Sequence, residues 1–281
     1  MLKLMYITNS SVMAKIADAA GVDRIWIDLE KKDKEDRQRG LNAVISDHKV
    51  DDVARIRPIL KKAELLVRVN HWGEWSLNEI DEVICKGADI IMLPYYKSIQ
   101  EVEDFISRVG GRAKTVLLLE TKEAVCILDE TLLVPGIDEI HIGLRDLQLS
   151  LRDDFMFESV ANGLVNRICK KIQIAGKPYG FGGVARLGEG LVSAEMVLSE
   201  HYRLGSTRAI LSRSFCNLRG SVDWEKVERQ FNKDLRDLRA YERILSKREA
   251  CVLDESHEAF KRLVGEVAAE MRRGKCVNNV E

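Results

Sequence analysis

The chain has 281 residues, 46% of them hydrophobic, and a formal net charge of −1 from 44 basic and 45 acidic side chains. That balance gives no charge signature for nucleic acid or an acidic surface, and a charged fraction of 32% argues against a membrane protein and against disorder. One large domain fits the length, since a barrel of alternating strands and helices uses about 250 residues.

The N-terminal MLKLMYITNSSVM reads as a first strand rather than a signal peptide. No apolar run approaches the roughly 18 residues needed to span a bilayer. Eight short apolar runs follow one another: Leu2–Ile7, Arg24–Asp28, Glu64–Val69, Asp89–Leu93, Thr115–Leu119, Glu139–Ile142, Pro178–Phe181 and Arg208–Leu211. Most are continuously apolar rather than alternating, as in DIIML and TVLLL. Parallel strands buried on both faces have that pattern.

Between the runs lie amphipathic stretches with polar starts and glycine stops. SVMAKIADAAG begins with a serine cap and ends at Gly21; SLNEIDEVICKG runs from Ser76 to Gly87, and SIQEVEDFISRVGG from Ser98 to Gly110. TKEAVCILDETLLVPG ends at Pro135–Gly136. Eight such strand–helix units predict an α/β fold, a (β/α)8 TIM barrel over residues 1–219. Residues 220–281 differ: Val227, Phe231, Leu235, Leu238, Tyr241 and Leu245 recur at helical spacing in a Glu/Arg/Lys-rich segment. It predicts one or two amphipathic helices extending the barrel, packed on it or on a neighbouring subunit.

Cys85, Cys126, Cys169, Cys216, Cys251 and Cys276 are scattered, without a CxxC pair. They read as reduced thiols of a cytoplasmic protein rather than as zinc ligands.

In such a barrel the chemistry sits at the C-terminal strand ends. Strand two ends Asp28-Leu29-Glu30-Lys31, strand three Arg68-Val69-Asn70-His71, strand five Glu120, and strand six is followed by Arg145-Asp146. Converging acids can hold one divalent cation, which makes metal-assisted chemistry the leading expectation. An acid there can also be a helix cap or a solvated loop residue, Arg68 a structural ion-pair partner, and Lys31 part of the solvated run KKDKEDRQR. Gly180, Gly182 and Gly183 with Ala185 fit GxGxxG/A weakly, and read as a mobile or phosphate-tolerant loop.

Five segments together resemble the HpcH/HpaI aldolase and citrate lyase β-subunit superfamily: GVDRIWIDLE, LLVRVN, GADIIMLP, LLLETKEAV and PGIDEIHIGLRDL, spread over roughly residues 1–215. The resemblance implies a divalent-metal carbon–carbon lyase or aldolase. By position, Glu120 and Asp146 would be ligands of Mg2+ or Mn2+. Arg68 would lie over the carbonyl oxygen of a 2-oxo acid such as pyruvate. The N–H groups of Arg145 and Asp146 would bind its carboxylate, and Asp28 and Glu30 would support the metal's water or the base. The implied partners are small-molecule 2-oxo acids and aldehydes, with neither nucleic acid nor membrane, in a homo-oligomer.

Two positions depart from the pattern. Lys31 stands where the aldolase branch has His and the citrate lyase branch an acid; Lys31, His48 and His71 are the candidate bases. Arg145 replaces a small or proline-like residue and could recognise an anionic substrate tail. An acyl-CoA lyase of the citrate or malyl-CoA type, or a barrel that binds a ligand without catalysis, are the alternatives.

Overall fold

The computed structural model describes residues 1–32, 46–212, 215 and 222–274. Its strands are β1 (Lys3–Ile7), β2 (Arg24–Asp28), β3 (Glu64–Arg68), β4 (Ile90–Leu93), β5 (Lys114–Leu119), β6 (Glu139–Ile142), β7 (Tyr179–Val184) and β8 (Arg208–Leu211). They follow chain order around a closed barrel, β1 to β8. The described helices are α1 (Ser11–Ala20), α2 (Val50–Ile56), α3 (Ser76–Cys85), α4 (Ile99–Val109), α5 (Lys122–Cys126), α6 (Leu128–Leu133), α7 (Leu144–Leu151), α8 (Glu158–Ala161), α9 (Leu164–Ile174), α10 (Ala194–Arg203), α11 (Trp224–Leu245) and α12 (Ala250–Arg272). This is the eight-stranded parallel TIM barrel expected from the apolar runs, with two long C-terminal helices. Most of the charged run after Lys31, and Cys216 and Cys276, lie outside the described residues.

The chain divides into two compact units, Met5–His141 and Met1–Leu4 with Ile142–Glu281. In the first unit β2 and β3 pair in parallel with Arg24↔Glu64, Trp26↔Leu66 and Asp28↔Arg68 in register. Alternate residues of a strand share a face, so Arg24, Trp26 and Asp28 form one row. At its start Arg24, 1% exposed, grips Glu139 with two hydrogen bonds of 2.7 and 2.6 Å and reaches Glu64 at 3.0 Å.

The helix ends show which capping signals were real. Ser10, Ser98 and Thr121 accept the N–H three residues on, and Gly21 and Gly110 close their helices in the left-handed conformation at φ 96° and 56°. Ser76 differs: it is the first residue of α3, and its hydroxyl accepts the Gly73 N–H at 2.9 Å, closing the preceding turn instead of the helix. The stretch after Thr121 breaks at Ile127 into two short helices.

Asp18, near the end of α1 and 4% exposed, accepts the N–H groups of Lys61, Lys62 and Ala63 at 3.0, 2.9 and 2.6 Å. Burial alone would raise its pKa, but those three N–H groups hold it below the ordinary carboxylate value. A depressed folded-state pKa gives stability that is present above the unfolded pKa, about 3.9, and is lost as pH falls through the folded one. Asp18→Ala is therefore expected to cost about 1–3 kcal/mol at neutral pH by stranding those donors. It should also flatten the acid limb of the urea-midpoint-against-pH curve; an unchanged limb would contradict the assignment.

In the second unit the glycines expected to form a loop lie in β7 itself, with a register shift against β8 between Gly180 and Gly183. A Cβ on Gly180 would come within 2.4 Å of the Arg208 carbonyl oxygen, and Gly182 sits at φ 51° beneath Leu144. Close strand contact accounts for Gly180, and a left-handed φ for Gly182. The C-terminal helices are fastened within this unit. Glu242 Oε1 accepts the Leu2 N–H at 2.7 Å, Phe260 meets Phe157 edge-on at 5.8 Å, and His257 Nδ1 lies 3.0 Å from Glu200. Arg272 joins Asp154 and Glu158. Among the described cysteines, Cys85, Cys126 and Cys251 are exposed free thiols, and burial pushes the Cys169 thiol up to about 12. Among the described residues no helix is long and apolar enough to cross a membrane.

Candidate functional site

The C-terminal ends of β2, β3 and β5 in the first unit carry a buried charged cluster. Asp28, Glu30 and Glu120 are each 1% exposed and Arg68 is 9% exposed. Register places Arg68 beside Asp28, and the guanidinium closes on it in bidentate fashion: Nε donates to Oδ1 at 2.8 Å and Nη2 to Oδ2 at 2.9 Å. Nη1 lies 3.1 Å from Glu30 Oε2. Burial alone would lower the Arg68 pKa; the charges of Asp28, Glu30 and Glu120 instead raise it well above its ordinary value. Three of its five N–H groups face these partners, which leaves two for a further acceptor. Its Cζ also sits 5.3 Å from the Trp26 ring centre, a cation–π contact from the same β2 row.

Asp28 is held from several sides. Ser46 Oγ donates to Oδ2 at 2.9 Å, and the Glu30 N–H reaches Oδ1 at 3.3 Å. The Asp28 N–H donates to His48 Nδ1 at 2.9 Å. The Nδ1 lone pair is thereby committed, and in the neutral ring Nε2 carries the proton. His48 in this arrangement supports the backbone at Asp28 and has no lone pair with which to act as a base.

The remaining candidates are placed as follows. Lys31 has a 41% exposed side chain whose Nζ lies 3.7 Å from Asp47 Oδ1. Its N–H and that of Lys32 donate to Asn70 Oδ1 at 2.8 and 2.9 Å, and Asn70 is itself gripped by Glu79 through two hydrogen bonds of 2.9 and 2.6 Å. This clamp fixes the chain where it leaves β2; burial pushes the Glu79 carboxyl up. His71 packs edge-on against Trp75 at 5.1 Å. Glu120 Oε1 accepts the Tyr95 N–H at 3.1 Å. In the second unit, Arg145 and Asp146 occupy the first turn of α7. The first intrahelical bond there is Leu147 N–H to Gly143 O, so the N–H groups of Arg145 and Asp146 precede it, as suits an anion. The Arg145 guanidinium is exposed and donates to Gln148 Oε1 at 3.0 Å.

Glu120 has the chemistry to suit a hard divalent cation: its carboxylate is 1% exposed directly after β5, and carboxylate oxygen is the ligand type Mg2+ and Mn2+ take, whereas Asp28 and Glu30 are engaged by Arg68. Among the described residues no group of three or more His, Cys, Asp or Glu is gathered as a metal site. Mg2+ is commonly held by one or two carboxylates plus water and substrate. Sequence reasoning found Asp28, Glu30, Arg68 and Glu120 but gave no role to Ser46, Glu79 or Tyr95; of these only Tyr95 lies close to a strand end, while Ser46 is 18 residues beyond Asp28 and Glu79 is inside α3.

Residues 3–187 match the HpcH/HpaI aldolase/citrate lyase family. A search of curated proteins finds no match. Among solved structures, the chain is similar to an HpcH/HpaI aldolase/citrate lyase family protein from Burkholderia cenocepacia J2315, with a TM-score of 0.60 at 16% identity over 85% of this chain and 94% of that one. An HpcH/HpaI aldolase from Desulfitobacterium hafniense DCB-2 gives 0.58 at 15% identity, over 75% and 86% of the two chains. Macrophomate synthase gives 0.54 at 15% identity, over 75% and 77%. At these identities the likeness to solved structures speaks for the fold.

Proposed function

The chain belongs to the HpcH/HpaI aldolase/citrate lyase family, and we propose that it is a metal-dependent aldolase or lyase that makes or breaks a carbon–carbon bond through the enolate of a pyruvate-type 2-oxo acid. The observation that carries this reading is Arg68, buried, locked as a cation by Asp28 and Glu30, beside Glu120, with two N–H groups to give.

Glu120 and Asp146 are the residues that would hold Mg2+ or Mn2+. When bound, the ion supplies Lewis-acid polarisation of the substrate oxygen. The remaining N–H groups of Arg68 donate to the carbonyl oxygen and strengthen as it gains charge. Asp28 and Glu30 prevent the guanidinium from turning away, so its field is fixed before the substrate arrives. The N–H groups of Arg145 and Asp146 receive the carboxylate. The proton leaving the carbon next to the carbonyl passes to a base at the end of β2, where Glu30 and Lys31 stand. In the cleavage direction that base takes the hydroxyl proton of the aldol, the carbon–carbon bond breaks, and the electron pair stays as the enolate opposite Arg68. The aldehyde departs past the exposed Lys31 and Arg145 side chains. Residues 1–219 carry this chemistry in the reading, and 220–281 are an addition to it.

The test is methyl-proton exchange of pyruvate in heavy water, followed by NMR with Mg2+ or Mn2+ added. Exchange is expected in the wild type, with a loss of about 100-fold or more in Glu120→Ala. No exchange in the wild type, or undiminished exchange in the variant, defeats the reading.

A further inference from the structure

Tyr95 has a backbone that tyrosine rarely adopts. Its φ is 54°, in the left-handed region, and among the described residues the only other non-glycine there is Arg152. Arg152 merely closes α7 as its C-terminal cap. Tyr95 caps nothing: it follows Pro94 directly after β4, at a strand end of the kind where this fold places its chemistry. A bulky residue held in this region is strained, and such strain persists only where the surroundings over-determine it.

The surroundings here are the end of β5. The Tyr95 N–H donates to Glu120 Oε1 at 3.1 Å, and the next residue's carbonyl, Tyr96 O, accepts from Thr121 Oγ1 at 2.9 Å. Thr121 Oγ1 also accepts the Ala124 N–H at 3.0 Å, tying the corner to the start of α5. Tyr96 is fully buried, so the corner is anchored in the core. Turning Tyr95 back to an extended conformation would swing its N–H off the carboxylate.

We propose that Tyr95 is a positioning residue for Glu120: its left-handed backbone aims one N–H at Oε1 and so holds the carboxylate in the orientation that receives a divalent cation. This rests on the reading of Glu120 as a metal ligand. The device is the main chain, not the phenol, and the two can be separated. Glycine accepts a left-handed φ without strain and keeps the N–H; valine, branched at Cβ, resists that conformation.

The experiment titrates the full chain with Mn2+ alone, reading free Mn2+ by electron paramagnetic resonance, alongside thermal unfolding. Tyr95→Gly is expected to bind within about threefold of wild type, whereas Tyr95→Val and a backbone ester at Tyr95, which deletes only the N–H, weaken binding about tenfold or more. Glu120→Gln is the control for the underlying reading. If the ester variant folds and binds like wild type while Glu120→Gln does not, Tyr95 has no positioning role and the ligand assignment survives. A folded Tyr95→Gly that loses binding assigns the effect to the phenol and overturns the proposal. If Glu120→Gln binds like wild type, Glu120 is not a ligand and both readings fall. A purely structural Tyr95 would shift the unfolding temperature and leave Mn2+ affinity unchanged.

Discussion

Replacing Arg68 with alanine is expected to cost about 3–5 kcal/mol of stability and to abolish measurable enolisation. The stability loss follows from burial. Asp28 and Glu30 are each 1% exposed, and Arg68 meets the first through two hydrogen bonds and the second at 3.1 Å. Removing one partner of a buried ion pair leaves charge without compensation, which is far more costly than the pair is stabilising. The catalytic loss follows from the two N–H groups left over once those partners are met. Removing a preorganised donor to a developing oxyanion typically lowers kcat by about 10²–10³. Arg68→Lys separates the two effects. Lysine keeps the charge but cannot make the planar bidentate contact. It should recover much of the stability and little of the exchange. The folded-state pKa of Arg68 is raised, so its own stabilising contribution is complete below the unfolded value and fades only as pH climbs past it. The urea-midpoint difference between wild type and Arg68→Ala should therefore show no loss of the arginine's own contribution at or below neutral pH. Full exchange activity in a folded Arg68→Ala would refute the role given to this residue.

The second large effect lies at the opposite end of the β2 row. Arg24→Ala is expected to cost about 3–5 kcal/mol in urea unfolding. Its two hydrogen bonds to Glu139, at 2.7 and 2.6 Å, join β2 to β6, and Glu64 adds a third contact at 3.0 Å. Burial alone would lower the Arg24 pKa, but the hydrogen bond and charge of Glu139 raise it. Glu64 also meets Lys114, 2.5 Å away, and Glu139, 7% exposed, would lose both of its arginine hydrogen bonds. The double replacement Arg24→Met with Glu139→Leu removes both charges and fills the space. It is expected to recover most of the loss, since a buried ion pair exchanged for apolar contacts is often near neutral in stability. A double variant as unstable as Arg24→Ala would contradict this account. Mn2+ affinity and exchange per folded molecule should be unaffected, unlike in the Arg68 series.

The barrel was legible because most strands are continuously apolar runs, separated by amphipathic stretches several of which have a polar start and a glycine stop. Glu139–Ile142 and Arg208–Leu211 are found where the runs place them. The strand-end residues Asp28, Glu30, Arg68 and Glu120 were legible for a related reason: a charge ending an apolar strand has to be accounted for. The Arg24–Glu139 pair was not, because the two residues are 115 positions apart and either end reads as an ordinary strand start. Nor was the part played by His48, which depends on the direction of one lone pair rather than on residue type. Tyr95 is hidden for a third reason: a left-handed φ leaves a trace in sequence only when glycine or asparagine fills it. The Gly180–Gly183 stretch misled because glycines that admit a neighbouring strand and glycines that admit a phosphate look alike in one dimension.

The most direct test of the central claim is a crystal of the full chain soaked with Mn2+ and oxalate, a stable mimic of the pyruvate enolate, with anomalous scattering used to locate the ion. The account predicts a single site with Glu120 and Asp146 oxygens as ligands at about 2.0–2.2 Å, oxalate completing the shell, and an Arg68 N–H on an oxalate oxygen. An ion bound elsewhere, or carboxylates too far apart to share one, would contradict it.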